Sequence, residues 1–376
     1  MGDLGTEIRL VSLPGKSPGI PYIGLFYDAL QQLGIRHVGE MYPTSAWVRG
    51  ESGSFDAVHI HWPEKIWRRE YVYRDGVFGS IRGYFLFRRL TKRLRHSIGF
   101  LGFRRLLDTL EAKKKIIVWT LHELVPHSAG GSLDSRSYGL LSRRCDLVIS
   151  HSMACRDAFV SQYGNAHKVI HMPHGNFRGE YPAARPRNAV LNECGLRQDI
   201  PVFGLIGALR AYKGVSLALE TARAGLEKMQ LIVAGAPLSG FPTAEVEARC
   251  AGMENVCFVP RALTEQEFSD FGSACDAFLL PYDRITTSGV MNAALTLGRG
   301  VICSDLPYFR ECLRDYPDCG RIAIENTAEE FLVAISEYLD IPAMKRGTAA
   351  GKFSDSREWS KVVVPVAESL KSLVRC

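Results

Sequence analysis

Short apolar runs alternate with amphipathic stretches along the whole chain, a pattern that predicts an α/β fold built on parallel sheets. In the first half IRLVSL (8–13), HVGEM (37–41), AVHIHW (57–62), IIVWTL (116–121), LVIS (147–150) and KVIHM (168–172) read as strands. In the second half VFGLIG (202–207), LIVAG (231–235), VCFV (256–259), AFLLP (277–281), VICS (301–304) and RIAI (321–324) do the same. Each set of six is spaced for βα units. Between the sets lies YPAARPRNAVLNECGLRQDIP (181–201), polar and with three prolines, which reads as a linker. The pattern predicts two Rossmann-like domains facing each other across a cleft, over residues 1–182 and 200–355. A C-terminal helix over 356–376 is expected to return to the first domain.

Composition narrows the classes. With 46% hydrophobic and 23% charged residues among 376, the chain is neither disordered, collagenous nor a disulfide scaffold. Its ten cysteines are scattered, with no C-x-x-C pair, so reduced thiols fit and a zinc site has no support. The start MGDLGTEIRLVSLPG runs straight into a strand, so no signal peptide is expected there. Gly2 and Thr6 match the loose myristoylation pattern. No apolar run is long enough to span a bilayer. The expected location is cytoplasmic, at most peripheral on the cytoplasmic membrane face.

The net charge of +6 is modest, but its placement is not. Residues 65–115 hold 15 Lys/Arg against four acids, an excess of +11 that leaves the rest of the chain net acidic. Within it, 82–106 interleaves Phe85, Leu86, Leu90, Leu94, Ile98, Leu101 and Leu106 with cations. At helical spacing this suits an amphipathic helix on an anionic membrane. A helix packing its apolar face on the sheet reads the same way. No nucleic-acid partner is expected, since no recognition motif accompanies the charge.

Two segments carry candidate chemistry. In PYDRITTSGVMNAALTLGRGVICSDL (281–306), a strand is followed by Thr287, Ser288 and Gly289 at a helix start, where free backbone amides suit a phosphate. An ordinary serine-capped helix has the same signature. In VFGLIGALRAYKGVSLALETA (202–222), Arg210 and Lys213 stand at the carboxyl end of a strand and could neutralise a diphosphate. Solvated loop charges are the alternative.

Taken together, and in this order, the segments resemble the donor-binding domain of GT-B glycosyltransferases, especially family 4 and its bacterial polysaccharide relatives, the xanthan mannosyltransferase type included. The loop pattern falls on Gly207, Lys213 and Gly214, and the second pattern on Asp276, Pro281, Tyr282, Ser288 and Gly289. More loosely, PGKSPGIPYIG (14–24), DAVHIHWPE (56–64), VWTLHEL (118–124), RCDLVISHS (144–152) and KVIHMPHGNF (168–177) resemble the acceptor domain. The family's glutamate pair is replaced by Thr286 and Ala294, and its loop arginine by Ala208, with Arg210 two residues on.

The resemblance implies a GT-B fold and transfer of a hexose from a GDP- or UDP-linked sugar to a saccharide acceptor, lipid-linked, in surface-polysaccharide assembly. Donor contacts are expected at Gly207, Arg210, Lys213, Arg261, Thr287, Ser288, Gly289 and Val290. The acceptor cleft is expected to include Gly19, His61 and Trp62, with His122 and Glu123 as candidate catalytic groups just after IIVWTL. A structural histidine and a helix-capping glutamate are the plainer readings of His122 and Glu123. No cofactor and no metal are expected, because no two aspartates are two residues apart. A GT-B epimerase and a degenerate scaffold are the alternative functions.

Overall fold

The structure is a computed structural model that describes residues 7–16, 21–68, 92–124 and 132–375. It divides into two compact units, residues 1–173 with 359–376, and residues 174–358.

The first unit holds a six-stranded parallel sheet of β1 (Ile8–Leu13), β2 (Ile35–Glu40), β3 (Ala57–Ile60), β4 (Ile116–Leu121), β5 (Leu147–Ser150) and β6 (Val169–His171). Their order is β2-β1-β3-β4-β5-β6. In the second unit β7 (Val202–Ile206), β8 (Gln230–Ala234), β9 (Val256–Val259), β10 (Ala277–Leu280), β11 (Gly300–Ser304) and β12 (Gly320–Ala323) are ordered β12-β11-β10-β7-β8-β9. Both sheets are parallel throughout. The central strands are apolar on both faces because helices cover both sides, which is why they read as continuous hydrophobic runs.

All twelve expected strands form. In the second sheet the order reverses between β7 and β10, so the loops after these neighbours leave the same edge side by side. The first sheet reverses between β1 and β3, with β4 and β5 next in line.

The segment expected to be a linker is folded. Arg187–Glu193 is a helix whose Val190 and Leu191 are fully buried in the second unit's core. Arg187 donates to Asp276 at 2.8 Å, and Arg185 to both Asp270 and Glu193. Three prolines signal a boundary, but two adjacent aliphatics bury well enough to tie the segment down.

The expected terminal helix is two pieces, Trp359–Val362 and Val364–Arg375, and it does pack in the first unit, on β5, β6 and the helix Pro21–Gln31. The ring of Trp359 sits 5.4 Å from that of Tyr22.

Of the basic stretch, residues 82–91 lie outside the described part. The helix Lys92–Ala112 turns Phe103, Leu106, Leu107 and Leu110 into the core, and leaves Arg104 and Arg105 exposed and Leu101 51% exposed. Leu106, one of the apolar positions assigned to a membrane face, is therefore a core residue. No described helix is long and apolar enough to cross a membrane.

Candidate functional site

The two loops from β7 and β10 meet in the second unit. The amide of Asp283 donates to the carbonyl of Tyr212 at 2.9 Å, joining them. Gly207 ends β7 with φ +107, and a Cβ there would lie 3.2 Å from Val290 Cγ2 and 3.9 Å from Lys213 Nζ. Gly207, Lys213 and Val290 are thus packed together at the start of the helix Gly289–Thr296. Gly214 has φ +66, and a Cβ would lie 1.9 Å from the Pro281 carbonyl oxygen, so only glycine lets the two loops approach this closely.

Lys213 is 7% exposed and, among the described residues, pairs with no carboxylate. Burial, with nearby Arg210 adding repulsion, pulls its ammonium down to about 8. Its Nζ lies 5.7 Å from the centre of the buried Tyr282 ring. Arg210 likewise has no acidic partner among the described residues. Two adjacent cations without a counterion, one of them buried, form a site that an anion would stabilise.

At the helix start Ser288 is a cap: its hydroxyl accepts from the Met291 amide at 3.1 Å. That hydroxyl is engaged, while the Gly289 and Val290 amides remain at the helix start. Thr287 Oγ1 is buried without a hydrogen bond in good geometry, although the Tyr308 hydroxyl is near. A Cβ on Gly289 would lie 3.8 Å from His174 Nε2, so His174, which no sequence motif singles out, borders this corner. Burial draws its imidazole down to about 4.

Arg261 is placed differently. It donates to Glu267 at 3.0 Å, and Glu267 closes the capping box of the helix Glu265–Ala274 with Thr264. No contact links Arg261 to Gly207, Lys213 or Gly289 among the described residues.

In the first unit, neighbouring strands β3, β4 and β5 deliver His61, His122 and His151 to one edge. His61 Nδ1 lies 3.1 Å from His122 Nε2, and His122 stacks on Trp62 at 4.6 Å between ring centres. His61, Trp62 and His122 are therefore one cluster. Behind them stand His59, Tyr27 and Tyr22, all buried and none of them among the residues expected from sequence. A signal for His59 exists: His59 and His61 are two apart on a strand and share a side. Burial holds both imidazoles well below their ordinary range. Glu123 follows His122, partly buried near Tyr138, whose hydroxyl donates to Glu64 at 3.1 Å. Burial pushes the Glu64 carboxyl up. Gly19 lies outside the described residues.

Residues 200–340 match the family model described as Glycosyl transferases group 1. The chain is 26% identical over 287 residues to GDP-mannose:glycolipid 4-beta-D-mannosyltransferase of Xanthomonas campestris pv. campestris, covering 75% of this chain and 69% of that protein. Among solved structures, HepE of Anabaena in complex with UDP superposes with a TM-score of 0.68 at 14% identity, over 97% of this chain and 100% of that one. The structure described as trehalose-6-phosphate from E. coli, bound with UDP-2-fluoro glucose, gives 0.65 at 11%, over 96% and 98%. The fold these features define is GT-B, and residues 200–340 match the group 1 glycosyl transferase model. The mannosyltransferase of Xanthomonas is a relative by sequence, whereas the solved structures match in fold.

Proposed function

We propose that the chain transfers a hexose from a GDP- or UDP-linked sugar to a saccharide acceptor, lipid-linked and part of surface-polysaccharide assembly. The observation that carries this is the uncompensated pair Lys213 and Arg210, set against Gly207 and the start of the helix Gly289–Thr296 at the sheet's reversal point. A nucleoside diphosphate supplies the missing negative charge. As the glycosidic bond to the diphosphate breaks, charge builds on the leaving oxygens, and fixed cations and amides stabilise that charge without reorganising. These groups do the work assigned elsewhere to a metal, and the sequence offers no aspartate pair to hold one. The relative's name, with its GDP-mannose donor and glycolipid acceptor, supports the hexose and the lipid-linked acceptor; neighbours bound to UDP support a nucleotide-linked donor.

In the first unit, His122 is the group proposed to handle a sugar hydroxyl, either by hydrogen bonding or by taking its proton, with Glu123 beside it as a second base. The basic segment 82–106 is proposed to hold the protein on an anionic membrane, where a lipid-linked acceptor resides.

The test is melting of the purified chain with GDP-mannose and with UDP-glucose, followed by transfer of labelled sugar to a lipid-linked saccharide. A bound donor at 100 times its Kd stabilises by about 2.7 kcal/mol. The expected result is a melting rise with one donor and label in the lipid fraction. In the doubly substituted His122→Ala, Glu123→Gln chain the label is lost while the melting rise remains. No shift with any nucleotide sugar overturns the reading.

A further inference from the structure

The second unit brings two partly buried thiols together on one face of its sheet. The outer strand β9 holds Cys257, which pairs with Ile232 of β8. Cys257 and Val259 turn to the side where Ile232, Val190 and Leu191 pack, while Val256 and Phe258 turn to the other. The first side carries the helix Arg187–Glu193, and Cys194 closes that helix, its amide donating to the Val190 carbonyl at 3.1 Å. Cys194 and Cys257, far apart in sequence, meet there: the Cys194 thiol donates a hydrogen bond to the Cys257 sulfur.

Both positions are anchored. Just beyond Cys194, the amide of Arg197 donates to Gln230 Oε1 at 2.7 Å, and Gln230 Nε2 donates back to the Arg197 carbonyl at 2.7 Å. Gln230 is the first residue of β8, so the turn after Cys194 is tied to the strand beside β9. Just before Cys257, the Asn255 carbonyl accepts from the Leu231 amide at 2.8 Å, and Asn255 Nδ2 donates to the Ala222 carbonyl at 2.8 Å. A cross-link between such positions forms without first ordering either segment.

The two thiols differ in character. Cys194 holds its proton, because the hydrogen bond to Cys257 and then burial push its value up. The same bond draws Cys257 down. Cys257 is therefore the readier thiolate, and the thiolate is the form that attacks. A third thiol, Cys275, is near both, but it is fully buried, donates to the Phe271 carbonyl at 3.1 Å, and is pushed up by burial. Cys250 is also partly buried, and no thiol is among the groups that act on it. Among the described residues no group of cysteines, histidines and carboxylates is arranged to hold a metal ion. The cluster offers a dithiol.

We infer that Cys194 and Cys257 are a redox pair that closes to a disulfide, stapling the helix Arg187–Glu193 to the outer strand of the second sheet. The oxidant is a small disulfide such as oxidised glutathione. The Cys257 thiolate attacks one of its sulfurs, forming a mixed disulfide and releasing one glutathione thiolate. Cys194 then gives up its proton and attacks the Cys257 sulfur, and the second glutathione leaves. One disulfide bond breaks and another forms. The two protein thiols are oxidised, the small disulfide is reduced to two thiols, and the two protons from the protein end on these. The closed loop contains β7 and β8, so the bridge restrains the unfolded chain over much of the sheet. In a reducing compartment the pair stays open.

The experiment starts from the reduced full chain, equilibrates it with excess oxidised glutathione, alkylates the remaining thiols in denaturant and maps the peptides without reductant. One Cys194–Cys257 link is expected, with Cys275 alkylated. The linked chain should melt about 4 °C or more above the reduced one, and dithiothreitol should remove the rise. Cys194→Ser and Cys257→Ser should each melt alike with and without glutathione. If either variant fails to fold, the wild-type map and melting decide alone. Four results overturn the inference: alkylation of both Cys194 and Cys257, a link through Cys275, a glutathione adduct that persists on Cys257, or a link with no rise in melting. No sugar donor enters this test, so its outcome is independent of the transferase reading.

Discussion

Lys213 shows how one side chain couples stability to binding. Its ordinary value is 10.5 and burial brings it to about 8. The unfolded chain therefore holds a proton that the folded one releases between those two values, and stability rises with pH across that window. Below pH 8 the buried charge carries its full cost, up to about 3 kcal/mol, since a tenfold change in proton affinity is worth about 1.4 kcal/mol. Replacing it with methionine, a similar volume beside Tyr282, should raise the melting temperature of nucleotide-free protein at pH 7, with the gain fading towards pH 10.5. The same Lys213→Met should weaken nucleoside diphosphate binding by about 1.5–3 kcal/mol, the range for a hydrogen bond to a charged group. Calorimetric titration and melting on one sample check both signs. A variant that is less stable at pH 7, or that binds as tightly as the wild type, contradicts the uncompensated-cation account. At this scale the sequence is partly legible. Lys213 and Gly207 can be named because loop residues at a strand end are few. The capping use of Ser288 and the Arg261–Glu267 pair cannot, since a hydroxyl or a guanidinium looks the same whether it serves a ligand or its own helix.

Elements are the more legible level, and the departures there have physical causes. Short runs locate all twelve strands, most clearly the central ones, because strands buried on both faces leave little room for polar residues; the edge strand β2 is exposed at alternate positions and reads less cleanly. Ends slip where the chain stays extended and apolar past the last paired residue, as at Trp62 beyond the His61 amide, which still donates to the Leu13 carbonyl of β1. The helix Arg187–Glu193 is hidden by its flanking prolines, which set its start rather than exclude it. Its burial gives a sharp expectation. Leu191 is fully enclosed by the second unit's core, so Leu191→Ala should cost about 2–5 kcal/mol, the range for a buried leucine cut to alanine. Urea unfolding followed by circular dichroism measures this. A linker leucine, free of the core, would cost only a small fraction of that, and such a result would return the segment to that role. The histidine cluster belongs to this level too. Strands β3 and β4 are neighbours with His59 paired to Val118, so His59 and His61 reach Thr120 and His122 on the diagonal, an adjacency that no single run of sequence displays.

For the whole molecule the leading question is where its charge excess acts. The net +6 hides a local +11 over residues 65–115, and a mildly acidic remainder would be repelled by the same anionic surface that attracts this window. In the described part of the window, the helix Lys92–Ala112 commits Phe103, Leu106 and Leu107 to its own core and presents Arg104, Arg105 and Leu101 outward. Attachment is therefore expected to be electrostatic with few apolar anchors, so it should dissolve in salt as the Debye length shortens. Each cation near an anionic leaflet contributes about 1 kcal/mol. Arg104→Glu with Arg105→Glu removes two attractions and adds two repulsions, and both positions face water, so folding should be preserved. Flotation with vesicles containing phosphatidylserine is expected to recover the wild type at low salt and much less of it at high salt. The double variant should float at least about tenfold less, as the loss of two such attractions implies. Neutral vesicles should float neither. If the wild type stays at the bottom of the gradient even at low salt, the cations serve only to keep a surface helix solvated. The lipid-linked acceptor would then have to reach the first unit from solution or through a partner protein.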